Sequence, residues 1–107
     1  RRDLRLAVDR HASALGMRPK GIRVRDTVSR WGSCSSAGVL SFSWRLVLAP
    51  PEILDYLAAH EVSHLVHMDH SPAYWSVVSR LFPEHRAARD WLKREGSRLH
   101  AIGGAAP

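Results

Sequence analysis

One stretch constrains the chain more than any other: PEILDYLAAHEVSHLVHMDHSPAYW, residues 51–75. Its apolar residues Ile53, Leu54, Leu57, Ala58, Ala59, Val62, Leu65 and Val66 cover nearly every side of a helix, so a helix over about 51–67 has to be buried. Pro51 suits its first turn, and Glu52 suits the positive end of its dipole. The same segment carries His60, Glu61, His64, His67, Asp69 and His70. Ionisable groups in such a place cost several kcal/mol each unless they are paired or bound to a cation. The segment therefore reads as a site built into a core.

Spacing sorts these groups. At about 100° per residue, His60 and His64 share one helix face about one turn, or roughly 6 Å, apart, and both can reach a single ion at Zn–N distances of about 2.0–2.1 Å. Glu61 points roughly 100° away, too far round to be an equivalent ligand. It can lean over water beside the ion as a general base. Together these residues spell H-E-x-x-H. A catalytic zinc usually takes a third protein ligand and leaves one position open. His67 shares the face of His60 but lies about 10 Å further along the axis, which makes it a rim residue. Asp69 would leave His70 unexplained. In a continuous helix His70 would be about 15 Å from His60, so it can join only if the helix breaks near His67 and the chain turns back. Ser71-Pro72 supplies that break, since Ser as N-cap and Pro at the first helical position start a new helix. His70 is the expected third ligand.

The remaining elements follow from periodicity. Residues 2–15 place Leu4, Val8, His11 and Leu15 at helical spacing, with Gly16 as the stop. IRVRDTV, residues 22–28, alternates as a strand. VLSFSWRLVL, residues 39–48, alternates more strongly, with Leu40, Phe42, Trp44, Leu46 and Leu48 inward and Ser41, Ser43 and Arg45 outward. Gly38 can turn the chain before it, which pairs residues 30–34 with it as a hairpin. After Ser71, the residues Tyr74, Trp75, Val78, Leu81 and Phe82 keep helical spacing. A last helix covers about 84–98, with Ala88, Trp91 and Leu92 inward. Trp31, Trp44, Trp75 and Trp91 are expected to pack in the core, and His11, His85 and His100 to lie on the surface.

The 107 residues suffice for one domain, 1–107, with 101–107 as a flexible tail. No apolar run reaches the ~18–20 residues of a membrane span, and the charged N-terminus has no signal-peptide core. The lone cysteine, Cys34, excludes a disulfide framework, and a cytoplasmic location is expected. A thiol nucleophile or an added metal ligand are its functional readings; a small buried hydrophobe in a strand is the plainer one. The first residue is not Met, as in a piece of a longer protein. A net charge of +6 hides a division, because residues 1–25 carry eight basic against two acidic groups, while residues 31–79 carry one against four. The basic flanks read as solvated helix faces, with contact to nucleic acid or acidic proteins as the alternative.

RWGSCSSAGVLSFSWRLVLAPPEILDYLAAHEVSHLVHMDHSPAYW, residues 30–75, together with the Trp-containing last helix, resembles the YgjP-like metallopeptidases of the zincin superfamily, relatives of the SprT-like and WLM-type proteases. The RWGSC strand, the LAPPE…DY helix start and the HExxH…HS core stand in the same order. The resemblance implies an α+β, minimal zincin-like fold: an N-terminal helix, a small antiparallel sheet of about three strands, the HExxH helix and two C-terminal helices. It also implies one Zn²⁺ per chain on His60, His64 and His70, with Glu61 as general base, cleaving protein or peptide substrates. In zincins an extended substrate lies along an edge strand, for which residues 39–48 are the candidate. Arg45, Tyr56 and Tyr74 are candidate oxyanion donors, though each is more simply structural. The spacing of the three histidines equals that of metzincins, whose glycine at the break is replaced here by His67. Ser43 and Val62 stand where the family tends to have Asn and Leu. The SprT-like and WLM-type relatives act on proteins attached to DNA. A non-catalytic zinc-stabilised module contacting nucleic acid or a protein partner is the alternative function, and hydrolysis of a non-peptide substrate is a third. No membrane partner is expected.

Overall fold

The computed structural model describes residues 2–27 and 30–100. In chain order they form α1 (Arg2–Ala14), β1 (Gly21–Arg25), β2 (Gly32–Cys34), β3 (Val39–Ser43), a 3₁₀ helix (Trp44–Leu48), α2 (Pro51–Ser63), α3 (Pro72–Leu81) and α4 (His85–His100). The expected tail, 101–107, lies outside the described residues. No helix among them is long and apolar enough to cross a membrane.

α1 buries Leu4, Ala7, Val8 and Ala12, chiefly against α2. It ends where Gly16 takes φ 66° and the Met17 N–H reaches back to the Ala12 carbonyl at 2.9 Å, the left-handed close expected of that glycine. His11 belongs to this inward face. It is only 5% exposed, with Nε2 2.6 Å from Asp55 Oδ1 of α2, and Arg10 bonds the same carboxylate. The surface position expected of His11 is therefore corrected: a polar partner 44 residues away makes its burial tolerable.

The sheet has the order β1-β3-β2. β2 and β3 form the expected hairpin, Gly32 opposite Phe42 and Cys34 opposite Leu40, turning through Gly38 at φ 89°. β1 runs parallel to β3, so the sheet is mixed, not antiparallel. Alternation along a strand carries no direction, and the chain crosses from one edge to the other between Arg25 and Gly32, which leaves β3 in the middle.

β3 is also shorter than the strand expected over 39–48. The Ser43 hydroxyl accepts the Arg45 N–H at 3.2 Å and starts the 3₁₀ helix, an N-cap competing with the ladder. The facing changes accordingly. Arg45 and Leu46 are buried with Ser43, whereas Val47 and Leu48 are exposed and Trp44 is half-buried.

α2 is buried on most sides, through Ile53, Tyr56, Leu57, Ala58, Ala59 and Val62. It stops at Ser63, four residues before the expected end. His64, Leu65 and Val66 donate to the carbonyls of Glu61, Val62 and Ser63 at 2.9–3.1 Å, a tightening to i→i+3 bonds that unwinds the helix. No described residue other than glycine has positive φ, so the break uses no left-handed residue and His67 fits where metzincins carry glycine. Ser71 then caps α3, accepting the Tyr74 N–H at 3.3 Å, with Pro72 at its first position. α3 adds Tyr74, Val77 and Val78 to the core, and α4 adds Ala88 and Leu99, with Trp91 and Leu92 half-buried.

Candidate metal centre

The early end of α2 brings three imidazoles together. His60 projects from the last full turn, His64 is the C-cap, and His70 precedes the Ser71 cap. One ring nitrogen from each lies within 4.8 Å of the others, and the Nε2 atoms of His64 and His70 are 3.1 Å apart. Ligands at about 2.0–2.1 Å from a tetrahedral ion stand roughly 3.3 Å from one another, so this donor set fits a small divalent cation. The His64 Nδ1 lies 3.0 Å from the His67 carbonyl. A carbonyl can only accept, so Nδ1 carries the proton and Nε2 presents its lone pair toward His70. The backbone of His67 thus supports the cluster, as a rim residue should. Burial, and then the neighbouring His64 and His60, hold His70 below the usual histidine range, which favours the neutral form a cation needs.

Tyr74 locks the arrangement. In a continuous helix the His64 N–H would bond to the His60 carbonyl, but it turns to Glu61 and leaves that carbonyl without its helical partner. The Tyr74 hydroxyl donates to it at 2.8 Å. The Tyr74 ring stacks on His64 at 4.4 Å between centroids and meets His60 and His70 edge-on. Its phenol is raised, first by burial and then by the Glu61 carboxylate. Tyr74→Phe should keep the packing and orphan the carbonyl, lowering stability by about 1–2 kcal/mol. Thermal melting checks this, and an unchanged midpoint would contradict it.

Glu61 faces inward, 3% exposed. Its Oε2 lies 3.2 Å from His60 Nδ1, and its buried Oε1 has no hydrogen-bond partner. A buried carboxylate oxygen left this way is costly, and it marks a place for a water or a polar ligand. β2 makes room for it. A Cβ on Gly32 would stand 3.0 Å from Glu61 Oε2 and 3.1 Å from both Glu61 Cγ and the Ser41 carbonyl. Gly32→Ala should therefore displace Glu61 or the strand and lower stability by about 1–3 kcal/mol; an unchanged thermal midpoint would remove the close approach as a requirement.

The other expected contributors lie elsewhere. Arg45 is fully buried and bonds Asp26 Oδ1 at 2.6 Å and the Thr27 carbonyl at 3.1 Å, so it does not stand on the solvent face assigned to it. Asp26 is held below the usual carboxylate range by the bonds from Arg45 and Trp44. Tyr56 packs edge-on against His60 and Phe82, and burial pushes its phenol up to about 12. Cys34 is half-buried in β2, where burial, with Glu61, raises its thiol, an environment that disfavours a thiolate nucleophile. Asp69 is exposed. His85 is half-buried, 3.1 Å from Ser79 Oγ and stacked on Trp75. The side chain of His100 lies outside the described residues. Sequence reasoning missed two contributors: Gly32, whose only signal is a glycine within a strand, and Trp75, which stacks on His70 at 5.9 Å.

A three-histidine cluster beside a buried glutamate, on an α+β frame of this topology, defines the class of metallopeptidase domains. The chain belongs to the YgjP-like family, whose metallopeptidase-domain model matches residues 1–95. Its fold is similar to the crystal structure of the metallopeptidase zymogen of Pyrococcus abyssi abylysin, at 22% identity and a TM-score of 0.74, over 90% of this chain and 94% of that one. A comparison with curated proteins gave no match.

Proposed function

We propose that the chain is a zinc-dependent peptidase in which His60, His64 and His70 hold one zinc ion and Glu61 is the general base. One observation carries the reading: three imidazole donors converge within 4.8 Å beside a buried carboxylate oxygen that has no partner. When bound, zinc supplies Lewis acidity and lowers the pKa of water in the site toward about 7.

The chain's own residues account for the proton traffic. The Glu61 carboxylate, whose Oε1 has no hydrogen-bond partner, accepts a proton from the attacking water as the water oxygen bonds to the peptide carbonyl carbon. The same carboxyl then returns that proton to the leaving amine as the C–N bond breaks. His60 Nδ1 near Oε2 and the room left by Gly32 keep the carboxylate aimed.

The substrate strand has to be moved from its expected place. β3 is paired on both sides and offers no free edge, so residues 39–48 cannot receive a peptide. β2 is the edge strand that touches Glu61, and an extended peptide pairing with its backbone would pass the site. Digestion of casein by the zinc-supplemented wild-type chain tests the reading. Mass spectrometry should find new amino termini, and intact casein after long incubation would contradict it.

A further inference from the structure

The histidine cluster does not account for a second concavity beside it. A groove of about 540 Å³ lies between Trp31, the residue before β2, and a face of α4, and it is lined by Trp31, Arg86, Arg89, Asp90, Leu92 and Lys93. Arg86, Arg89, Asp90 and Lys93 recur at i, i+3, i+4 and i+7, so one stripe of α4 turns three cations and one carboxylate into the groove. Among the described residues, neither Arg86 nor Lys93 has an ion-pair partner within 4 Å.

Two routes join this groove to the candidate centre. Trp31 directly precedes Gly32, whose Cα approaches Glu61 as closely as a missing Cβ allows. On the other side the Arg89 guanidinium lies 4.5 Å from the Trp75 ring centroid, and Trp75 stacks on His70. A peptide paired along β2 advances about 3.3 Å per residue. One residue beyond Gly32 is Trp31, so a side chain one to three residues from the scissile bond would enter the groove.

We propose that this groove is a specificity pocket for an acidic side chain of the substrate, so that cleavage falls within about three residues of a Glu or Asp; the inference rests on the peptidase reading above. Nucleic acid suits the groove less well. The cations occupy two turns of one helix, roughly 10 Å along its axis, with Asp90 among them, instead of tracking a phosphate backbone.

The test uses two series of quenched-fluorescent peptides that carry a single Glu or a single Lys at each of three positions on either side of the cleaved bond and are otherwise identical. Wild type should prefer Glu at one position by about tenfold in kcat/KM, and Arg86→Glu/Lys93→Glu should reverse that ratio. Arg5→Glu/Arg18→Glu, which changes the net charge equally on another part of the surface, should keep it. Calorimetric binding of the same peptides to Glu61→Gln supplies a readout free of catalysis, with the same tenfold preference expected. Equal binding of the Glu and Lys peptides, or a preference that survives Arg86→Glu/Lys93→Glu, overturns the pocket. So does a single-stranded DNA oligonucleotide that binds more tightly than the Glu peptide and is lost in the same variant. Selective binding without any hydrolysis by wild type would instead remove the peptidase reading and retain the pocket.

Discussion

Glu61→Gln is expected to lower kcat for casein or peptide hydrolysis by about 10³-fold while the chain still binds one zinc ion. The size follows from what the change removes. Gln keeps the volume beside Gly32 and the hydrogen-bonding reach toward His60, but an amide cannot take a proton from water. General acid–base groups contribute about 10²–10⁴-fold, and in the proposed mechanism one carboxylate serves both the attack and the departure of the amine. The apo variant should also fold at least as well as wild type, because a neutral amide costs less in a buried site than a carboxylate with an unpartnered oxygen. Metal content, melting temperature and single-turnover cleavage measured on one preparation would separate these effects. Hydrolysis by Glu61→Gln at the wild-type rate would remove Glu61 from the chemistry.

His70→Ala has the second large effect. Outer-shell partners of a metal ligand cost about 10–100-fold in affinity when removed, so loss of a ligand itself should exceed 100-fold. His67→Ala is the informative comparison. The His67 carbonyl, and not its ring, holds His64 Nδ1, and the carbonyl survives the substitution. Its zinc affinity should therefore stay within about tenfold of wild type. Competition titration with a chromogenic chelator reads both values. Equal losses for the two variants would contradict the assignment of His70 as the third donor.

The difference between these two histidines was legible in the sequence because it depends on local geometry. Ser71-Pro72 announces a new helix directly after His70, and His67 stays outside the cluster as expected, although α2 ends at Ser63 and helical rise is not what separates it. Where α2 ends was not legible. It closes at Ser63 through i→i+3 bonds made by ordinary right-handed residues, and no glycine or proline marks that position. β3 misleads for a related reason. Leu40, Phe42, Trp44 and Leu46 alternate without a fault, yet the Ser43 hydroxyl captures the Arg45 N–H and ends the strand. That single local bond turns Arg45 from solvent into the interior, where Asp26 and the Thr27 carbonyl receive it.

Partners distant in sequence were the other hidden layer. His11 looked like a surface residue because nothing near it in the chain could satisfy a buried imidazole, and its partner Asp55 arrives only when α1 docks on α2. The parallel pairing of β1 with β3, which leaves β1 and β2 at the two edges, is likewise set by the path of the chain and not by any strand's own residues. Periodicity therefore located the histidines that cluster, while the strand proposed to lie beside a substrate had to come from the topology.

The central claim is that a metal held by His60, His64 and His70 makes this chain a peptidase. Wild-type protein stripped with a chelator and titrated with zinc, with casein cleavage followed at each addition, tests it most directly. The stripped chain should not cleave casein, and cleavage should recover to saturation at one zinc per chain. Undiminished cleavage by the stripped chain, or one zinc bound with no cleavage recovered, would contradict it.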